Sequence, residues 1–259
     1  MEKLLEIMRA LRAPGTGCPW DLAQSMRTIV PHTLEEAYEV ADAIEREAWD
    51  ELPGELGDLL FQVVFYCQIA GEEGRFDFAA VVAEICAKLL RRHPHVFGGR
   101  TADSPEAVAA QWEEIKAAER RHVDATPPSA LDHIPLGLPA LTRALKLQTR
   151  AARIGFDWPA PAPVLEKVGE ELDELRASLA AGGPSEHVRE ELGDLLFSCV
   201  NLARHLGIEP EAALREASRK FERRFRYVES AVREAGGDPA ATPLAELDAK
   251  WDEAKARGL

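Results

Sequence analysis

The heptapeptide Glu-Leu-Gly-Asp-Leu-Leu-Phe occurs twice, at residues 55–61 and again at 191–197. Each copy sets two carboxylates three residues apart, Glu55 with Asp58 and Glu191 with Asp194, at the head of a strongly apolar run. A second acidic motif precedes each copy: Glu35-Glu36-Ala37-Tyr38-Glu39 and Glu170-Glu171-Leu172-Asp173-Glu174. Both halves therefore read EExxE followed by ExxD. Residues three apart on a helix share a face. Glu36 with Glu39 makes one pair, Glu55 with Asp58 another, and two adjacent antiparallel helices present all four to one point. A lone acidic pair at this spacing is ordinarily a solvated face. Here Glu55 and Asp58 stand among Leu56, Leu59, Leu60, Val63 and Val64, where an unneutralised carboxylate is costly. Four crowded carboxylates also repel unless a cation resolves them. Their recurrence in the second half points to metal binding.

Every candidate ligand is an oxygen. The Glu-x-x-His of di-iron carboxylate bundles is missing, and hard oxygen sites of this kind suit Mg²⁺ or Mn²⁺, which keep waters and bind phosphates. The implied partner is a phosphorylated small molecule. Such a molecule needs cations, and the halves supply Lys88-Leu89-Leu90-Arg91-Arg92 and Lys220-Phe221-Glu222-Arg223-Arg224. Lys and Arg at i, i+3 and i+4 project from one stripe able to grip polyphosphate oxygens. One such stripe alone is a solvated face; its recurrence in register with the acidic motifs favours the grip. Trp112 with Lys116 and Trp251 with Lys255 form a further matched pair, for packing or for stacking on a base. The run HPHVFG at 93–98 tempts a metal reading, but Pro94 spoils helical ligand geometry, and it reads as a loop with structural histidines.

Helical periodicity positions these groups, and no run of alternating β-branched residues competes with it. Amphipathic or apolar helices are expected at 2–12, 33–47, 56–69, 78–92 and 105–121, with GTGCPWD at 15–21 as a loop. The helix at 56–69 is apolar almost all round and should be central in a bundle. After VDATPPSALDHIP the plan repeats at 138–153, 164–179, 190–205, 210–234 and 243–257, with FDWPAPAP paralleling CPWD. A period of about 125 residues is a domain duplication, far longer than a solenoid repeat. The expected fold is all-α, with two tandem four-helix bundles: an N-terminal domain at 1–122, a linker at 123–135 and a C-terminal domain at 136–259.

Composition narrows the function. Of 259 residues 46% are hydrophobic, enough for one large core or two ordinary ones. Lys and Arg total 31 against 45 Asp and Glu, a formal net charge of −14, which argues against a polynucleotide binder. No apolar stretch approaches the length of a membrane span, and the start lacks the apolar core of a signal peptide. The four cysteines show no CxxC spacing and read as free thiols of a reducing compartment, so the cytoplasm is expected.

At these residues the sequence resembles the MazG family of nucleoside triphosphate pyrophosphohydrolases in its tandem-domain form. The resemblance runs along essentially the whole chain, through GCPWD at 17–21, LEEAYEV at 34–40, ELGDLLFQVVF at 55–65, RRHPHVFG at 91–98, LPALTRALKLQTRAARIGFDW at 138–158, EELGDLLFSCVNLARHLG at 190–207 and KFERRF at 220–225. It implies an all-α NTP pyrophosphatase fold, Mg²⁺ dependence, a homodimer, and hydrolysis of NTPs or dNTPs to monophosphate and pyrophosphate. The metal ligands it implies are Glu36, Glu39, Glu55 and Asp58, and Glu171, Glu174, Glu191 and Asp194. The nucleotide contacts it implies are Lys167, Glu170, Lys220, Arg223, Arg224 and Trp251. Glu35 or Glu170, beside the ligands, is the candidate to orient or deprotonate the attacking water. Rival readings are a narrower pyrophosphohydrolase for dUTP, dCTP or phosphoribosyl-ATP, and a non-catalytic nucleotide or metal sensor. Retention of carboxylates and basic stripe in both halves favours an enzyme, and the duplication favours broad substrate use. The halves are not expected to be equal. His32 stands where the second half has Lys167, and Pro53-Gly54 where it has Arg189-Glu190. Most turnover is therefore expected in residues 136–259.

Overall fold

The computed structural model describes residues 1–121, 129–182 and 184–259, and contains helices and no strand among them. The chain divides into two compact units, Met1–Val123 and Asp124–Leu259. The first contains α1 (Glu2–Leu11), α2 (Pro19–Ala23), α3 (Met26–Glu45), α4 (Leu52–Glu72), α5 (Phe78–Arg92), α6 (Pro94–Phe97) and α7 (Pro105–Arg121). The second contains α8 (Ala140–Arg153), α9 (Pro161–Ala180), α10 (Ser185–His205), α11 (Pro210–Glu234) and α12 (Leu244–Ala256). The tandem all-α fold expected from periodicity is the fold observed.

In the first unit α4 packs against α1, α3 and α5, which is the central place its all-round apolar sequence requires. Met8, Ile29, Val64, Phe65 and Ile69 form the buried core, and Leu4, Leu5, Met26, Phe61, Tyr66 and Phe78 close around it. In the second unit α10 is the hub and packs against α8, α9 and α11, while α11 also meets α8 and α12. Its core mixes apolar and polar side chains. Val164, Val200, Val228 and Val232 are buried, and so are Gln148, Glu171 and Asn201.

Helix boundaries depart from the periodicity at several points: α4 and α10 begin four and five residues before the expected starts. α3 begins seven residues before Thr33, because Ser25 and Thr28 form a capping box: the Thr28 N–H donates to Ser25 Oγ and the Ser25 N–H to Thr28 Oγ1. Pro31 then lies inside α3 at the loss of one backbone bond. The loops read at GTGCPWD and HPHVFG each contain a short helix, α2 and α6, with Pro19 and Pro94 in their first turns. Of the linker expected at 123–135, residues 123–128 lie outside the described residues. Residues 129–135 lie on the second unit, where Arg150 Nη1 donates to the carbonyls of Ala130 and Asp132 and Ile134 is buried.

Candidate metal and nucleotide site

Each unit builds its acidic site from one helical hairpin. α3 and α4 are joined by six residues and α9 and α10 by four, so each pair runs antiparallel and brings EExxE opposite ExxD. In the first unit Glu36, Glu55 and Asp58 each offer a carboxylate oxygen, and these oxygens lie within 4.8 Å of one another. In the second, Glu171, Glu174 and Glu191 do the same. Both triads are all-oxygen and anionic, the donor set a hard divalent cation takes.

The electrostatics show unrelieved crowding in the first unit. Burial pushes the Glu36 carboxyl above its ordinary range, and the charges of Glu39 and Asp58 push it further. Gln62, buried on α4, donates from Nε2 to Glu36 Oε1 at 3.4 Å. Glu39 therefore stands beside the triad, within hydrogen-bonding reach of Glu36. In the second unit Glu174 is likewise raised by burial, then by Glu171. Glu171 is itself buried and carries a counter-charge: Lys167 Nζ lies 2.9 Å from Glu170 Oε1 and 3.0 Å from Glu171 Oε1. Asp194 is exposed and outside the second triad.

Burial does not enclose the sites as the sequence suggests. Asp58 and Glu174 are exposed, and Leu56, Leu60 and Val63 beside the first triad are exposed too. Leu56, Leu60 and Val63 form an open face of α4 that the described residues leave uncovered. Comparable uncovered faces run along Leu34 and Tyr38 on α3, Val82, Ile85 and Leu89 on α5, and Leu165, Leu172 and Leu179 on α9.

The helix starts differ where Pro53-Gly54 replaces Arg189-Glu190. Glu55 lies in the first turn of α4, whereas α10 begins six residues before Glu191. The second ligand helix thus enters its site with an additional turn of regular backbone, which also carries His187, 3.4 Å from Glu191 and 3.6 Å from Glu190.

The basic stripes are placed unequally as well. Arg91 Nε and Arg92 Nη2 both donate to the Glu119 carboxylate at 2.6 Å, which holds that carboxyl down to about 2 through Arg92 above all. Lys88 forms no ion pair among the described residues. In the second unit Lys220 and Arg223 are exposed and form none either, while Arg224 donates from Nε to the Leu259 carbonyl at 2.6 Å. Arg224 also lies 5.7 Å from the Trp251 ring centre, and Phe221 packs on that ring at 5.1 Å. Trp112 meets His93 edge-on at 4.9 Å. Trp251 thus packs on the helix that carries the basic stripe and Trp112 on the residue that follows its helix; the Lys116 side chain lies outside the described residues. The exposed candidates Glu35 and Glu170 stand beside their triads, Glu35 3.6 Å from His32 and Glu170 on Lys167.

The pattern matches a known family twice over. The model of the MazG nucleotide pyrophosphohydrolase domain fits residues 24–97 and 161–228, one hairpin site in each match. The chain belongs to the MazG family. It is similar, at 52% identity over 98% of its length and 97% of the relative's, to the nucleoside triphosphate pyrophosphohydrolase of Escherichia coli strain K12. It is 44% identical, over 98% of its length and 95% of the relative's, to a nucleoside triphosphate pyrophosphohydrolase/pyrophosphatase MazG of Thermotoga maritima. It is also 42% identical, over 96% of its length and 50% of the relative's, to the uncharacterised protein YabN of Bacillus subtilis. MazG membership makes the chain an enzyme of the pyrophosphohydrolase class, as the family resemblance led one to expect. No described helix is long and apolar enough to cross a membrane.

Sequence reasoning passed over Gln62 and His187. Both were within reach of the helix neighbour rule, since Gln62 follows Asp58 by four residues and His187 precedes Glu191 by four.

Proposed function

We propose that the chain hydrolyses nucleoside and deoxynucleoside triphosphates to the monophosphate and pyrophosphate, with Mg²⁺ as cofactor and Mn²⁺ as substitute. The observation that carries the reading is the pair of carboxylate triads, each closed to 4.8 Å across two helices, in a chain similar to named triphosphate pyrophosphohydrolases. Glu171, Glu174 and Glu191 would hold the ion, with Asp194 on the same helix joining them, and Glu36, Glu39, Glu55 and Asp58 are the first unit's equivalents. When bound, Mg²⁺ supplies charge neutralisation of the triphosphate and a lowered pKa for a water.

The chain's own residues do the remaining work. Lys167, beside Glu170 and Glu171, would offer its ammonium to a phosphate oxygen. Lys220, Arg223 and Arg224 meet the rest of the polyphosphate, where developing charge on the leaving pyrophosphate needs donors already in place. Glu170, released from Lys167, orients the attacking water and accepts its proton. No nucleophilic Ser or Cys is needed, because positioning and charge neutralisation carry the transfer of a whole pyrophosphate. The triphosphate grip is made from phosphate contacts common to all bases, which supports broad base use and a housecleaning role in the nucleotide pool.

The open apolar faces on α3, α4, α5 and α9 support a homodimer, since exposed stripes of this extent mark association surfaces. The free thiols of Cys18, Cys67, Cys86 and Cys199 suit the cytoplasm. The test is product analysis across the eight common NTPs and dNTPs, with and without EDTA. Pyrophosphate release that stops with EDTA and returns with Mg²⁺ is expected. Orthophosphate with diphosphate would show that a different bond is cleaved, and full activity without metal would overturn the cation site.

A further inference from the structure

Arg92 and Arg224 end the two matching basic stripes, and each is tied to the last helix of its unit by a different group. In the first unit Arg92 Nη2 donates to the Glu119 carboxylate at 2.6 Å, and Arg91 Nε does the same. In the second, Arg224 Nε donates to the main-chain oxygen of Leu259 at 2.6 Å. Aligning Trp112 with Trp251 places Glu119 opposite Gly258, seven residues after the tryptophan in both units. One unit thus reaches its arginines with an acidic side chain, and the other with the backbone just beyond a glycine.

The backbone route depends on that glycine. Gly258 has φ 78°, in the left-handed region, and its N–H donates to the Lys255 carbonyl at 3.0 Å. The Leu259 N–H reaches back to the Ala254 carbonyl at 3.2 Å. Together these bonds make the Schellman ending of α12. The turn is pinned to α11 one residue earlier, where the Arg257 guanidinium lies 4.8 Å from the Tyr227 ring centre and pairs with Glu253. Three residues before Tyr227, Arg224 meets the Leu259 oxygen, with its guanidinium 5.7 Å from the Trp251 ring centre. Nη1 and Nη2 of Arg224 form no hydrogen bond among the described residues. An arginine held at Nε and against an aromatic face keeps those two nitrogens as a preset edge, a fork that matches phosphate oxygens.

We propose that the Gly258–Leu259 turn is a positioning element of the second unit: its main-chain oxygen fixes Arg224 so that Nη1 and Nη2 are ready for the triphosphate. The inference rests on the reading of Arg224 as a phosphate contact. Without the turn, the long side chain would have to be ordered at each binding event, at a cost in affinity. The first unit has no such arrangement, because its paired arginines spend their donors on Glu119.

The test is a double-mutant cycle in the full chain. Gly258→Val cannot hold the left-handed turn, whereas Gly258→Asn can. A Cβ at this position meets no atom within 4 Å, so both variants act through the backbone. Arg224→Ala removes the side chain being positioned. KM and kcat for pyrophosphate release from ATP, and the calorimetric affinity for ATP, are read in each chain. Gly258→Val should raise KM about fivefold and weaken ATP binding to match, the scale of ordering one long side chain, with a smaller fall in kcat. Gly258→Asn should stay close to the parent. In the Arg224→Ala chain, adding Gly258→Val should have no further effect, since the turn acts through the arginine. Parent KM in Gly258→Val beside a raised KM in Arg224→Ala would overturn the positioning role and leave the reading of Arg224 intact. A loss that persists in the Arg224→Ala chain, or that is as large in Gly258→Asn, would also overturn it, because the left-handed turn and the arginine would not be its cause. Parent values in Arg224→Ala would overturn the phosphate reading and the proposal with it. If the parent releases no pyrophosphate from any NTP, the activity reading fails and the same cycle in ATP affinity decides the turn: a loss confined to Gly258→Val with Arg224 present supports it, and no ATP binding in the parent overturns it.

Discussion

In the first unit Glu36 faces the charges of Glu39 and Asp58 with only the Gln62 amide as a donor. In the second, Lys167 sits against Glu170 and Glu171 at 2.9 and 3.0 Å. The first unit commits Arg91 and Arg92 to its own Glu119, whereas the second leaves Lys220 and Arg223 exposed and without ion pairs among the described residues. The first starts α4 three residues before Glu55; the second starts α10 six residues before Glu191. These contrasts run in one direction. Duplication preserved the acidic ligands in both copies, but the second leaves more of its basic stripe without ion pairs among the described residues and starts its ligand helix farther ahead of its glutamate. On the proposed reading, the surroundings of a carboxylate triad, and not the triad alone, would decide which unit carries turnover.

The largest expected effect comes from removing one ligand in each unit separately. Glu171→Gln should lower pyrophosphate release by at least about 100-fold, the scale on which a lost transition-state charge contact is felt. Glu36→Gln should change it by no more than about threefold. Steady-state kinetics on a single NTP decides this, and the reverse ranking would break the comparison outright.

A smaller effect should follow from freeing the first unit's arginines. Glu119→Gln releases Arg91 and Arg92, whose pairing is partly exposed and worth no more than about 1 kcal/mol. In a chain that also carries Glu171→Gln, the affinity for ATP measured by calorimetry should rise about three- to fivefold. An unchanged affinity would mean that the tie to Glu119 is not what separates the units.

The two ligand substitutions should also move the metal-free stability in opposite directions. Glu36 has its folded pKa raised, chiefly by burial, so its ionised form opposes folding. That penalty is present at neutral pH and disappears as pH falls through the raised pKa toward the unfolded value. Glu36→Gln removes it and should raise the melting temperature of the EDTA-treated chain by a few degrees at pH 7, with the gain shrinking toward pH 4. Glu171→Gln breaks the contact with Lys167 on a buried side chain and should lower it. A shift of the same sign in both would show that Lys167 does not offset the crowding in the second triad. Differential scanning calorimetry across that pH range reads both signs.

Much of this was legible in the sequence. The central place of α4 follows from its all-round apolarity, and the triads follow from EExxE and ExxD at helical spacing. The start of α3 was hidden because Pro31 resembles a break, although Ser25 and Thr28 carried the capping signal. The openness of the sites was not legible, since Leu56, Leu60 and Val63 read the same whether they face their own unit or another subunit. The pairing of Arg91 and Arg92 with Glu119 links α5 to α7 across 27 or 28 residues, beyond any local rule.

The smallest expected effect concerns the turns that set each ligand hairpin. α3 ends with Glu47 at φ 57°, in the left-handed region, and the Ala48 N–H closes back onto the Ala43 carbonyl at 2.8 Å. This is the helix ending that glycine normally serves. At the matching end of α9 the second unit has Gly182, at φ 60°. An L-residue held there costs about 1–2 kcal/mol, so the first unit keeps a strained turn where the second has none. Glu47→Gly relieves that strain but frees the unfolded chain, which cancels part of the gain. The net stabilisation should be about 0.5–1 kcal/mol, a rise of a few degrees in the melting temperature. Gly182→Ala should lower it by a similar amount. Since Glu47 touches neither triad, Glu47→Gly should leave pyrophosphate release unaltered if the second unit does the work. A substantial rise in activity would instead show that turn strain alone holds the first unit back, and that its arginines and its missing lysine matter less than the backbone that presents Glu55.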